Sequence, residues 1–262
     1  MDNSKYAFFL DIDGTLWRRG VIPDANKEMI SRVRSLGHKV LINTGRSYAF
    51  IPKWLFEQIE LDGVVSGIGA SVRIDGEPIF QKSLSLEDMK YIFNLVKGRN
   101  VGMLIEGEER VFLYDENSET KESQDPRITA VIRGWEDWSE EYSDEPIAKI
   151  TAWEIDLSEQ DVISLNERFE LVLQIKNRYV EIGNLNCNKA TGMLRAIEYL
   201  GIDPDHCVAM GDSPNDITML KAAGISVAMG DGEEAVKDIC DIVSTGCEDG
   251  GVAEAMKRIL KL

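Results

Sequence analysis

The chain has 262 residues, 44% hydrophobic and 29% charged, with a formal net charge of −17. That balance argues against nucleic acid or an anionic membrane surface as a partner, and no apolar run approaches the roughly 20 residues that span a bilayer. The cysteines (Cys187, Cys207, Cys240, Cys247) show no metal-ligand spacing, the only histidines are His38 and His206, and no signal peptide is seen; a cytoplasmic protein without a zinc site or a Ser-His-Asp triad is expected.

In chain order, Tyr6–Leu10 is a short apolar run suited to a strand buried on both faces. Pro23 and Asp24 open a stretch with Met29, Ile30, Val33 and Leu36 at helical spacing, and Gly37 closes it. Lys39 begins a second strand that runs into the turn Thr44-Gly45-Arg46. A helix over Ser47–Glu60 is predicted, with Pro52 in its first turns, and a third strand over Leu61–Ser66. This alternation implies a parallel sheet with helices on both faces.

The texture changes over about Ser83–Asn184. Between Glu106 and Asp161 there are 18 Asp+Glu against 5 Lys+Arg, net −13. A helix from Ser85 to about Lys97 precedes a hairpin of Val101–Ile105 and Val111–Tyr114; a strand, Lys149–Trp153, precedes a helix from Asp156 and a second hairpin of Leu171–Ile175 and Tyr179–Ile182. The α-β-β pattern, repeated, suits an antiparallel sheet carrying two helices. Tyr114–Pro146 reads as a long loop with short elements. Trp135–Tyr142, rich in aromatics and acids, is read as packing rather than as a sugar platform.

From Asn188 the β/α alternation resumes. A helix is predicted over Lys189–Leu200 with Gly201 as its stop, then a strand over Cys207–Met210 ending in Gly211-Asp212. Helix Asp216–Ala223, strand Ile225–Met229, helix Glu233–Ile239, strand Asp241–Val243 and a last helix from Gly251 follow. The expected fold class is α/β: a Rossmann-like parallel-sheet core, residues 1–82 and 185–262, with an inserted α+β cap, residues 83–184. Hinges are expected near Gln81–Ser85 and Glu181–Cys187.

Ligands of open parallel sheets bind beyond the carboxyl ends of the strands. The first strand delivers Asp11 and Asp13 there, the second Thr44-Gly45, and the later one the turn Gly211-Asp212-Ser213-Pro214-Asn215-Asp216; Lys189 begins the helix before it. Carboxylates without histidine or thiolate suit a hard cation, Mg²⁺ above all, which would relieve the repulsion among Asp11, Asp13 and Asp212. A lysine, a hydroxyl and backbone N–H groups beside such an ion suit a phosphate. One aspartate can then attack phosphorus, and another two residues on can serve as acid and base.

The set Asp11-Ile12-Asp13-Gly14-Thr15, Thr44-Gly45-Arg46, Lys189 and Gly211–Asp216 resembles the four motifs of the haloacid dehalogenase superfamily. Asn43–Arg46, Asn188–Gly192, Val227–Gly230 and Glu248–Ala253 are similar to its Cof-type sugar-phosphatase group, whose cap is inserted between the second and third motifs. The resemblance implies Asp11 as nucleophile and Mg²⁺ ligand, and Asp13 as acid/base with its main-chain carbonyl on the metal. It implies Asp212 as third ligand, Asp216 behind Lys189 or the metal's waters, and Ile12, Thr44, Gly45, Lys189 and Asn215 around the phosphoryl group. Departures fall at Gly67-Ile68-Gly69-Ala70, where relatives often read Asn-Gly-Ala, and at Gly230-Asp231-Gly232, where an asparagine often stands. They bear on substrate contacts rather than on phosphoryl chemistry.

The residue set points to a Mg²⁺-dependent phosphatase hydrolysing a small phosphorylated metabolite, a sugar phosphate, as a monomer or homodimer. A phosphomutase or phosphotransferase would use the same aspartyl-phosphate. A phosphate sensor without turnover would have no use for Asp13. Asp216 can also be read as a helix N-cap, and Arg46 as a surface ion pair.

Overall fold

The computed structural model describes residues 5–99, 101–116, 125–174 and 179–262. The chain divides into two compact units, one of residues 1–45, 52–80 and 188–262, the other of 46–51 and 81–187.

The chain begins with β1 (Ala7–Leu10), four apolar residues, all buried. Helix α1 (Asp24–Ser35) buries Ile30 and Val33, and β2 (Lys39–Asn43) follows. The helix expected over Ser47–Glu60 is divided. A single 3₁₀ turn, Tyr48–Phe50, precedes extended Ile51, and α2 (Lys53–Gln58) starts only after Pro52. Proline disfavours helical geometry in the residue before it and offers no N–H to an earlier turn, so it starts a helix here instead of sitting inside one. Then come β3 (Gly63–Ser66), β4 (Ser71–Ile74) and β5 (Glu77–Gln81).

The second unit opens with α3 (Leu86–Val96), whose N-cap Ser85 and Asp88 form a capping box. It continues through β6 (Gly102–Gly107), β7 (Val111–Tyr114), β8 (Ile128–Ile132), α4 (Trp135–Glu141), β9 (Ile147–Trp153), α5 (Glu159–Asn166), β10 (Phe169–Gln174) and β11 (Tyr179–Asn184). The six-stranded order is β10-β11-β9-β6-β7-β8. Every pairing is antiparallel but β7–β8, which is parallel. The stretch read as a long loop with short elements supplies a strand and a helix, so among the described residues the unit carries three helices where two were expected. Trp138 of α4 is buried and meets Phe93 with its ring centroid 6.3 Å away, so that stretch packs. Ile175, expected in the last hairpin, lies outside the described residues. Arg46–Ile51 joins this unit: the Ser47 N–H donates to buried Glu106 Oε2 at 3.2 Å, and the Arg46 guanidinium lies 5.5 Å from the Phe50 ring centroid.

The first unit resumes with α6 (Lys189–Leu200), ended by Gly201 at φ 64°, as expected. After β12 (Cys207–Gly211), α7 (Ile217–Ala222) and β13 (Ile225–Ala228) come α8 (Glu234–Lys237), shorter than expected, then β14 (Ile242–Val243) and α9 (Gly251–Leu260). The eight strands lie in the order β14-β13-β12-β1-β2-β3-β4-β5. They are parallel from β14 to β3, and β4 turns back antiparallel on β3. The α/β class with a parallel-sheet core stands. Leu10 pairs with Met210 on one side and Ile42 on the other, so β1, β12 and β2 end level. Among the described residues no helix is long and apolar enough to cross a membrane.

Candidate active site

Level strand ends bring distant sequence to one rim. Asp11 continues β1, its N–H donating to Met210 O at 3.0 Å. Gly14 has φ 89°, and a Cβ there would run into the Asp212 carboxylate. The turn after β1 thus needs glycine twice over, for its left-handed backbone and for the approach of Asp212. Thr15 Oγ1 donates to Asp212 Oδ1 at 3.1 Å and is buried.

Lys189 opens α6 behind the N-cap Asn188, which closes a capping box with Thr191. Its Nζ is 2.5 Å from Asp11 Oδ1 and 2.6 Å from Asp216 Oδ1, with all three residues buried. Asn43, the last residue of β2, donates from Nδ2 to Lys189 O at 2.9 Å and so ties the helix start to the strand end. Asp216 precedes α7 but its side chain makes no cap hydrogen bond to that helix: Oδ2 accepts the Asp212 and Ser213 N–H groups at 3.0 and 3.2 Å while Oδ1 takes the lysine.

Carboxylate oxygens of Asp11, Asp212 and Asp216 lie within 4.8 Å of one another. Burial pushes the Asp11 carboxyl well above the usual range, Asp216 and Asp212 add to that, and Lys189 opposes it. Burial, with Asp216 behind it, likewise pushes Asp212 up to about 6 against the Thr15 hydrogen bond. Burial alone would lower the Lys189 ammonium, but Asp11 and Asp216 outweigh it and hold it protonated beyond the ordinary lysine range. Three carboxylates thus share one lysine, and a further cation is needed to hold all of them ionised. An all-oxygen donor set with surplus charge fits Mg²⁺.

The other expected residues take these places. Ile12 is wholly buried, Thr44 is buried with its N–H on Val65 O at 2.9 Å, and Gly45 follows it at the end of β2. Asn215 sits in the 3₁₀ turn Pro214–Asp216 with Oδ1 accepting from Ser213 Oγ at 2.6 Å. Asp13 is exposed, outside the three-carboxylate group, and accepts the Trp17 indole N–H at 2.8 Å. Both departures border this region. Gly67, Ile68 and Gly69 all have positive φ, and a Cβ on Gly69 would strike the Asn188 carbonyl. The Glu233 N–H donates to Asp212 O at 2.8 Å, and Asp231 pairs with Arg18 at 2.7 Å.

Sequence reasoning gave no role to Thr15, Trp17 or Asn43. The signal available was position alone, inside or beside the motifs, since their partners stand on other segments or four residues on.

A largely parallel α/β sheet with clustered carboxylates and a clamped lysine beyond its strand ends defines the class: an α/β protein whose site lies at the carboxyl ends of its strands. The chain belongs to the haloacid dehalogenase-like hydrolases, whose family model matches residues 8–256. The resemblance read from the motifs, Cof-type group included, stands with it. Over 277 residues the chain is 29% identical to the 5-amino-6-(5-phospho-D-ribitylamino)uracil phosphatase YitU of Bacillus subtilis, covering 100% of each. It is 29% identical to YcsE, a phosphatase of the same name from that organism, over 95% of this chain and 93% of the relative. Among solved structures, BT1666, a haloalkanoate-superfamily phosphatase from Bacteroides thetaiotaomicron, shares the fold at TM-score 0.83 and 24% identity, over 100% of this chain and 97% of that one. The chain is thus an enzyme of the hydrolase class, in company with phosphatases.

Proposed function

We propose that the protein is a Mg²⁺-dependent phosphatase that hydrolyses a small phosphorylated metabolite through an aspartyl-phosphate on Asp11. The observation that carries this reading is Lys189 held between Asp11 and Asp216 beside Asp212.

Asp11 and Asp212, with the main-chain carbonyl of Asp13, would hold the cation, which when bound draws charge from the phosphate and keeps Asp11 ionised. Lys189, Thr44, Asn215 and the N–H groups of Ile12 and Gly45 orient the phosphoryl oxygens. Asp216 fixes Lys189 and, through two backbone N–H groups, the Asp212 turn. An Asp11 oxygen bonds to phosphorus as the ester P–O bond breaks, and Asp13 gives its proton to the leaving oxygen. Asp13 then takes a proton from water, whose oxygen attacks phosphorus, releasing phosphate and restoring Asp11. The second unit, inserted into the core, is assigned the choice of substrate.

The YitU and YcsE names support a phosphate ester on a polyhydroxylated carbon chain as the substrate class. Acid quenching of Asp13→Asn with such esters, followed by peptide mass spectrometry, tests the mechanism. Phosphate on the peptide holding Asp11 is expected; an unmodified peptide in a variant that still turns over overturns it. An isomerised product without free phosphate would favour a mutase.

A further inference from the structure

Asp13 stands outside the buried carboxylate group, and an exposed carboxylate samples several rotamers unless something holds it. Here something does. The Trp17 indole N–H donates to Asp13 Oδ1 at 2.8 Å. The backbone repeats the grip: Asp13 and Trp17 form a β-bridge, the Gly14 N–H donates to Trp17 O at 2.9 Å, and the Trp17 N–H donates to Ile12 O at 3.1 Å. The indole cannot swing away. Trp17 is 4% exposed and stacks on Trp54 of α2 with centroids 4.6 Å apart and planes 28° apart. Its neighbour Leu16, equally buried, has no polar atom to offer.

We propose that Trp17 is a positioning residue for proton transfer by Asp13, with Trp54 as the wall that fixes the indole. This rests on the reading of Asp13 as acid and base. A carboxylate offers two oxygens and about four lone-pair sites, so the indole orients the group through Oδ1 while Oδ2 carries the proton. The bond made and broken at Oδ2 is the O–H bond only: the proton passes to the leaving oxygen as the P–O bond breaks, and returns from the attacking water. A tryptophan meets this need with few torsions to fix, a broad face to stack and one donor at its edge.

The consequence is selective. A p-nitrophenolate leaving group departs without a proton, whereas the alkoxide from benzyl phosphate does not, and the two esters are alike in shape. Comparing kcat/KM isolates the step in which the leaving group departs. In Trp17→Phe, which keeps a ring against Trp54 and deletes the donor, the ratio of kcat/KM for p-nitrophenyl phosphate to that for benzyl phosphate should rise about tenfold, a fraction of the 10²–10⁴ attributed to acid catalysis. Asp13→Asn should raise the same ratio further. If Trp17→Phe fails to fold by circular dichroism, Trp54→Leu carries the test, with a rise of several-fold expected from an indole no longer held. A Trp17→Phe or Trp54→Leu enzyme that loses both substrates by the same factor, or none, overturns the inference while Asp13→Asn still shifts the ratio. A ratio unmoved by Asp13→Asn overturns the acid/base reading and the inference with it.

Discussion

The Lys189 ammonium stands 2.5 Å from Asp11 Oδ1, and both groups are buried. Neither would tolerate that burial alone, since an unpaired charge out of water is costly. Lys189→Met, which keeps length and removes charge, leaves Asp11 facing Asp216 and Asp212. Its kcat should fall by about 10²-fold or more, and its melting temperature should drop, since breaking a buried pair costs about 3–5 kcal/mol. Adding Asp216→Asn to Lys189→Met should restore part of the stability and none of the activity. Equal melting of the single and double variants would show that the two carboxylates do not share the lysine's charge.

How much of this was legible beforehand depends on distance along the chain. Asp11, Thr44, Lys189 and Asp212 could be placed on one rim because each follows or precedes a readable element, and parallel strands put their ends together. What the side chains do there was hidden, because Thr15 meets Asp212 and Asn43 meets Lys189 across 197 and 146 residues. Helix Lys189–Leu200 is legible in the sequence with Gly201 as its stop; the cap that Asn188 supplies is not. The Ser47–Glu60 helix was misread because its apolar spacing outweighed Pro52. The β4–β5 extension of the sheet and β8 are not legible because strands of four or five residues show little alternation.

A backbone prediction concerns Gly14. Its φ of 89° disfavours any Cβ, and the Asp212 carboxylate occupies the space a Cβ would need. Gly14→Ala should lose about 1–2 kcal/mol of stability from the left-handed backbone and, by displacing Asp212, weaken Mg²⁺ binding as well. Thermal melts with and without Mg²⁺ separate the two: the variant should melt lower in both and gain less from the ion.

The carboxylate cluster carries a metal prediction. Mg²⁺ bound to the folded chain alone raises its stability by RT ln(1 + [Mg²⁺]/Kd), about 2.7 kcal/mol at a hundredfold excess over Kd. The melting temperature should climb with Mg²⁺ and return with chelator. Asp212→Asn should flatten the climb, and an equal climb in that variant would remove Asp212 from the ligand set.

Away from the site, Asp62 gives a pH prediction. It is 5% exposed and accepts the Val40 N–H at 2.9 Å, Arg34 Nε at 3.0 Å and Lys39 Nζ at 3.0 Å. Burial alone would raise its pKa, but these partners outweigh it and hold the carboxyl below its ordinary value. A folded-state pKa below the unfolded one means stabilisation that is complete above about pH 4 and is lost as pH falls through the folded value. Asp62→Asn should therefore be less stable than wild type by about 1.5–3 kcal/mol at neutral pH. The gap should narrow below pH 4, as urea unfolding at pH 7 and pH 3 would measure.

The measurement to make first is hydrolysis of p-nitrophenyl phosphate by wild type and Asp11→Asn, each with Mg²⁺ and with EDTA. If Asp11 is the nucleophile beside a required cation, wild type with Mg²⁺ releases p-nitrophenol and the other three combinations fall to background. Equal rates for wild type and Asp11→Asn, or an undiminished rate in EDTA, would contradict it.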